Sequence, residues 1–163
     1  MMPDDYDVEL ANNIIYDPWT GDFFRTLRSG YRRGMPVKAG YVNSRGYFVI
    51  RFKNRVIQAH RVAWFIYYGL WPGGIIDHAN GDKLDNRIGN LRIATPTQNN
   101  ANMKAKGNKL KGSTFIRRIG KWQAQVKCDG KTHYLGLFDS EADAHKAYIR
   151  AATKLFGSFA RPA

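Results

Sequence analysis

Between Ile75 and Asn102 the chain changes its hydropathy pattern twice, which narrows its folding options more than any other feature. Ile75-Ile76-Asp77-His78 is a short β-branched run that ends on a carboxylate and an imidazole. Residues 79–90 form a polar loop in which Asn80, Asp82, Asp85 and Asn86 read as turn formers. Asn90-Leu91-Arg92-Ile93-Ala94 then returns to a strand pattern. Thr95-Pro96-Thr97-Gln98 is a helix start: Thr95 can cap, Pro96 suits the first helical position, and Gln98 completes a capping box. Strand, loop, strand and helix are therefore expected in that order. Asp77 and His78 end the first strand, Asn90 opens the second, and Asn99 lies on the helix. Asn100 and Asn102 compete for the place of Asn99 if the helical register slips.

The flanks are short and strand-rich. "YFVIRF" (47–52) and "RVIQAH" (55–60) are joined by Lys53-Asn54, a tight-hairpin pattern. "HRVAWFIYYGLWP" (60–72) reads as a short buried helix that stops at Gly69 and Pro72. Beyond residue 112, "STFIRRI", "KWQAQVKC" and "KTHYLGLF" repeat a β signature, punctuated by Gly120 and Asp129-Gly130. "DSEADAHKAYIRAATKLFG" (139–157) follows with alanines at helical spacing and Gly157 past its end. The expected fold class is α+β: a ββα unit followed by a three-stranded antiparallel sheet with one helix. The expected division is an acidic N-terminal arm (1–24), a first domain (25–102), a basic linker (103–112) and a second domain (113–163).

Charge points to the partner. Residues 1–24 hold six acids and no Lys or Arg, so all 26 basic residues lie beyond them, against seven acids. Residues 25–76 contain ten basic residues and no acid. Segregation of this kind in a chain of pI near 10 suits a polyanion, and nucleic acid is the expected partner. The linker "MKAKGNKLKG" places Lys104, Lys106, Lys109 and Lys111 where they could track a phosphate backbone. No apolar run is long enough for a membrane span, and the N-terminus lacks a secretory pattern. The single cysteine, Cys128, rules out an intrachain disulfide and a multi-cysteine zinc site, and it fits a reducing, cytoplasmic setting.

The polar joints fit phosphodiester hydrolysis. That reaction needs an activated water, charge neutralisation at phosphorus and a stabilised 3′ leaving oxygen. A neutral imidazole suits the water-activating base, here His78. A carboxylate with an amide oxygen suits a hard cation, here Asp77 with Asn99, and a second amide that fixes the ring tautomer is offered by Asn90.

"IIDHANGDKLDNRIGNLRIATPTQNNAN" resembles the HNH homing-endonuclease motif in its Asp-His, Asn, Asn form, as found in phage and intron-encoded nucleases. "GYFVIRFKNRVIQAHRVAWFIYYG" is similar to the stretch that precedes it in that family. The resemblance implies a ββα-metal nuclease domain with one Mg2+ or Mn2+ per active site, and products with 5′-phosphate and 3′-hydroxyl ends. It also implies a bacterial host cell as the setting if the gene is phage-encoded. His60 and Arg61 match a His-Arg pair of the family; for His60, packing beneath the site, phosphate contact and a direct catalytic role all remain open.

"GKWQAQV", "YLGLFDSEADAHKAY" and "AATKLFG" resemble the Apetala, or ethylene-response-factor, DNA-binding domain. That resemblance implies a sheet face in the major groove carrying Arg117, Arg118, Trp122, Gln125, Lys127 and Tyr134. Trp122 alternates out of phase with Gln125 and Lys127, so local bending is required to bring all six to one side. The combined expectation is a metal-dependent endonuclease acting on double-stranded DNA, with no obligate protein partner. The alternative is a non-catalytic, sequence-specific DNA-binding regulator.

Overall fold

The computed structural model describes residues 4–27, 29–31, 33–105, 107 and 109–161. The backbone separates into two compact units, Met1–Ile93 and Ala94–Ala163. The division falls ahead of the Thr95 helix start, whereas the sequence placed its joint in the basic stretch 103–112.

The first unit opens with α1 (Asp5–Asn13). Asp4 caps it by accepting from Asp7 N–H at 2.9 Å, and Asp7 returns the bond to Asp4 N–H at 3.3 Å. These acids sit at the positive end of the helix, where negative charge is stabilising. The expected acidic arm is thus folded. Leu10, Ile14 and Tyr16 are buried in the first core, and no arm whose side chains supply a core can hang loose. The strands β1 (Ile14–Tyr16), β2 (Phe23–Thr26) and β3 (Pro36–Lys38) make an antiparallel sheet in that order.

A second antiparallel sheet joins β4 (Tyr41–Val42), β5 (Phe48–Phe52) and β6 (Arg55–Gln58). Phe52 pairs with Arg55 across Lys53-Asn54, and Lys53 adopts φ 49°, as a tight two-residue turn requires. Next comes α2 (Ala59–Tyr68), which buries Ala59, His60, Val62, Ala63 and Phe65 and ends at Gly69. Gly69 has φ 72°, the left-handed conformation that closes a helix without a Cβ penalty. β7 (Ile75–His78) and β8 (Leu91–Ala94) form a two-stranded sheet that carries the motif. Ile76 and Leu91 fasten these strands to the core of Phe23, Ile50, Val62 and Phe65.

In the second unit, α3 (Pro96–Asn102) starts with the anticipated capping box, Thr95 accepting from Gln98 N–H at 3.2 Å. β9 (Ser113–Ile116), β10 (Lys121–Cys128) and β11 (Lys131–Phe138) form an antiparallel sheet ordered β11-β10-β9. β10 and β11 are joined by Asp129-Gly130, both with positive φ. Gln125 faces Tyr134 while Ala124 faces Gly136, so Leu135 is an extra residue bulging from β11. The long helix α4 (Glu141–Phe156) packs on all three strands through Ala144, Ala147, Tyr148, Ala152 and Phe156. No helix among the described residues is long and apolar enough to cross a membrane.

Candidate active site

β7 delivers Asp77 and His78 to a buried position, each about 5% exposed. Asp77 Oδ2 accepts from Arg92 Nε at 2.9 Å, so the neighbouring strand β8 fixes the carboxylate. Arg92 was not among the sequence candidates; adjacency of β7 and β8 is what brings it to Asp77.

His78 Nε2 lies 3.5 Å from Asn86 Oδ1. The Asn86 amide is oriented independently, because its Nδ2 donates to Leu84 O at 3.1 Å. Its oxygen therefore faces the ring, where it can accept a proton carried on Nε2. Asn86 is itself 2% exposed, and its backbone oxygen accepts from Tyr16 O–H at 2.7 Å.

The orienting contact expected of Asn90 thus falls to Asn86. Asn90 instead ties the loop to the strand. Its Oδ1 accepts from Asn80 N–H at 3.0 Å, its Nδ2 donates to Asp85 O at 2.8 Å, and its backbone oxygen accepts from Ala79 N–H at 2.8 Å. "DNR" looks like ordinary turn chemistry in sequence, and only the folded loop turns Asn86 toward the imidazole.

Burial is the largest influence on His78 and pushes its pKa below the usual histidine range. The Asn86 contact and the charges of Asp77, Asp82 and Asp85 oppose that shift without cancelling it. His78 is therefore neutral near pH 7, the form a general base requires. His60 lies beneath it edge-to-face, with ring centroids 5.1 Å apart. His60 is 4% exposed, and burial, with smaller contributions from His78 and Arg61, lowers its pKa to about 3. Of the readings left open for His60, its burial against the His78 ring corresponds to packing. Arg61 donates to the carbonyls of Gly74 (3.2 Å) and Pro72 (3.3 Å), bracing the turn that leads into β7.

The remaining candidates belong to the second unit or its approach. Asn99 is half-buried on α3, and Asn102 is buried at its end. Lys104 and Lys109 are exposed, while Lys106 lies outside the described residues. Lys111 was expected to face a phosphate backbone, but its Nζ donates to the carbonyls of Asn100, Ala101 and Met103 at the end of α3. These carbonyls take all three of its N–H donors, and burial lowers its pKa to about 8.

On the sheet, Gln125 and Tyr134 sit opposite each other, and Gln123 and Lys127 alternate onto the same face. Trp122 does not join them. It packs on the helix side against Ala124, Ala144 and Ala147, because the bulge lies on β11 and leaves the alternation of β10 intact. Arg117 and Arg118 are exposed, but on a single 3-10 turn after β9 rather than on the strand.

Comparison with known proteins agrees with this geometry. A family model described as HNH endonuclease matches residues 57–101, spanning β7, the loop and β8. The chain is 36% identical over 126 residues to an uncharacterized HNH endonuclease, L560, of Acanthamoeba polyphaga mimivirus, a match covering 75% of this chain and 65% of that protein. It is 35% identical over 108 residues to protein 3.8 of Escherichia phage T7, covering 64% of this chain and 88% of that protein. A shorter match, 43% over 54 residues, is to the AP2-like ethylene-responsive transcription factor TOE2 of Arabidopsis thaliana, covering 33% of this chain and 11% of that protein. The buried Asp77-His78 pair and the loop tied by Asn90 lie within the matched residues. Residues 57–101 thus carry an HNH endonuclease domain, and the chain as a whole is similar to the two viral proteins.

Proposed function

We propose that this chain is a metal-dependent DNA endonuclease with a ββα-metal site, using His78 as base and leaving 5′-phosphate and 3′-hydroxyl ends. The observation that carries the reading is the buried Asp77–His78 pair, with the imidazole kept neutral by burial and turned by Asn86. In this reading the neutral His78 imidazole takes a proton from a water whose oxygen forms the new bond to phosphorus. The bond from phosphorus to the 3′ oxygen breaks, and that oxygen takes a proton from solvent.

Asp77 supplies a hard oxygen donor held by Arg92, and Asn99 is proposed as its amide partner on the strength of the motif spacing. Such donors fit Mg2+ or Mn2+ better than a softer ion. When bound, one such cation would neutralise charge at the scissile phosphate and on the leaving oxygen. The lowered pKa of His78 implies a sign for the pH dependence. Its base form persists below pH 6.5, so the acid limb of the rate profile should lie under that value.

The second unit is proposed as the part that supplies DNA affinity, through an Apetala-type sheet. Gln125, Lys127 and Tyr134 are its groove-facing residues, Arg117 and Arg118 flank them on their turn, and Lys104 and Lys109 meet the backbone. Tethering such a module raises the effective concentration of DNA at a small cleavage site.

The test is relaxation of supercoiled plasmid in Mg2+ and in EDTA, followed by treatment of the products with DNA ligase. Nicking or linearisation in Mg2+ only, with nicks that ligase reseals, is the expected outcome. DNA that is shifted on a gel but never cut, with plasmid or with a library of target sites, would favour the non-catalytic regulator.

A further inference from the structure

We infer that the first unit holds a second DNA contact: a cationic cleft, sharing no residue with the Asp77–His78 site, that grips the phosphodiester backbone through Arg25 and Arg51. The cleft lies among α1, the β1–β2 strands and the β5–β6 turn, and has a volume of about 380 Å3. That size falls in the usual range for small-molecule pockets, about 300–1,000 Å3. Its floor is apolar, with Ile14 3% and Phe52 9% exposed, and Thr26 stands at its edge.

Among the described residues two arginines line it, both exposed. Neither guanidinium has an ion pair or hydrogen bond among the described residues, and this sets them apart from most cations of the unit. Lys38 pairs with Asp22, Lys53 with Glu9, Arg87 with Asp85 and Arg92 with Asp77. Arg55 lies 4.4 Å over the Tyr6 ring, and Arg61 is held by two carbonyls.

Glu9, the one acid among the described lining residues, is already neutralised by Lys53. The cleft therefore presents two uncommitted, planar, five-donor groups above an apolar floor. A guanidinium fork matches a phosphate bidentately, and the floor suits a deoxyribose between two phosphates. A strand of DNA supplies that alternation. The surrounding stretch 25–76, with its ten basic residues and no acid, gives such a strand no repulsive neighbour in sequence.

The inference rests on DNA being the polymer this chain binds, and the experiment separates the two claims. Binding of a labelled non-specific duplex is measured in EDTA over a KCl series, for the full chain and for R25Q/R51Q. A control, R33Q/R45Q, removes the same charge from exposed arginines outside the cleft. Two lost phosphate contacts should flatten the slope of log K against log salt by about 2. The control should flatten it by clearly less. Thr26→Trp fills the edge of the cleft without changing charge and should also weaken binding.

Equal slopes for the cleft pair and the control, or unimpaired binding by Thr26→Trp, would overturn the cleft while leaving DNA binding intact. A wild-type chain that does not bind duplex at all would overturn both claims. Matching thermal transitions of all variants would show that the comparison reads contact and not folding.

Discussion

The site is held by few side chains, so single substitutions should have large and separable effects. Arg92 and Asp77 have side chains 20% and 6% exposed, and removing the cation takes an ion-pair partner from a nearly buried carboxylate. After allowance for solvent at Arg92, Arg92→Ala should cost about 2 kcal/mol of unfolding free energy, read by denaturant titration. A loss within 0.5 kcal/mol would mean the pair is not structural. His60 makes a pH-dependent contribution. Its folded pKa is lowered, to about 3, so the unfolded chain binds its proton first as pH falls. The stabilisation from neutral burial is complete above pH 6.5 and is lost as pH drops from there toward 3. Near pH 5 this single group should cost about 2 kcal/mol, and His60→Phe should flatten that part of the stability profile. An unchanged profile would contradict it. The end of β7 on Asp77 and His78 was legible in the sequence, because a β-branched apolar run breaks there into a polar loop. Asn86 and Arg92 were not legible. Each meets its partner only through closure of the loop and pairing of β7 with β8, and neither event leaves a local spacing.

Elements support the site from outside the motif. The β1–β2 turn packs against the loop that carries Asn86. A Cβ added to Gly21 would lie 2.6 Å from Arg87 N and 2.8 Å from Asn86 C, at φ +76°. Both obstructing atoms are backbone, so Gly21→Ala must push the loop. It should cost about 2 kcal/mol or more, and it should slow cleavage beyond the loss of folded protein. Normal cleavage per folded molecule, scored by calorimetry alongside activity, would show that the loop tolerates the shift. The first helix is a second support. Deleting residues 1–20 removes Leu10, Ile14 and Tyr16 from the core and the Tyr16 bond to Asn86. The cooperative transition of the first unit should disappear. A folded truncation that binds DNA more tightly would instead make the segment an electrostatic shield. Elements with tight local signals were readable: the Lys53-Asn54 turn, the Thr95 capping box and the alanine-spaced α4. The helix α1 was hidden by its acidity, although the Asp4–Asp7 pair and the four-residue spacing of Tyr6 and Leu10 were signals that could have found it.

At the scale of the whole molecule, charge and architecture point to one polymer. The acids of the first 24 residues are largely committed locally, to a helix cap, a turn and ion pairs with Lys38 and Lys53. The excess of positive charge beyond them is available for phosphates. Composition carries that expectation by itself, because charge segregation survives folding. The division into two units was less readable. Ala101 of α3 packs with Val126, Tyr148, Ala152 and Phe156, contacts made far along the chain, so the motif's own helix counts with the second core. His78 is proposed as the base of a DNA-cleaving site. The most direct test is single-turnover cleavage of plasmid in Mg2+ by wild type and His78→Ala, with DNA binding measured in parallel. Wild-type cleavage, with a loss of at least a hundredfold in His78→Ala and unchanged binding, is the predicted result, in line with general-base contributions of about 10²–10⁴. Equal cleavage by the two proteins at equal binding would contradict the account.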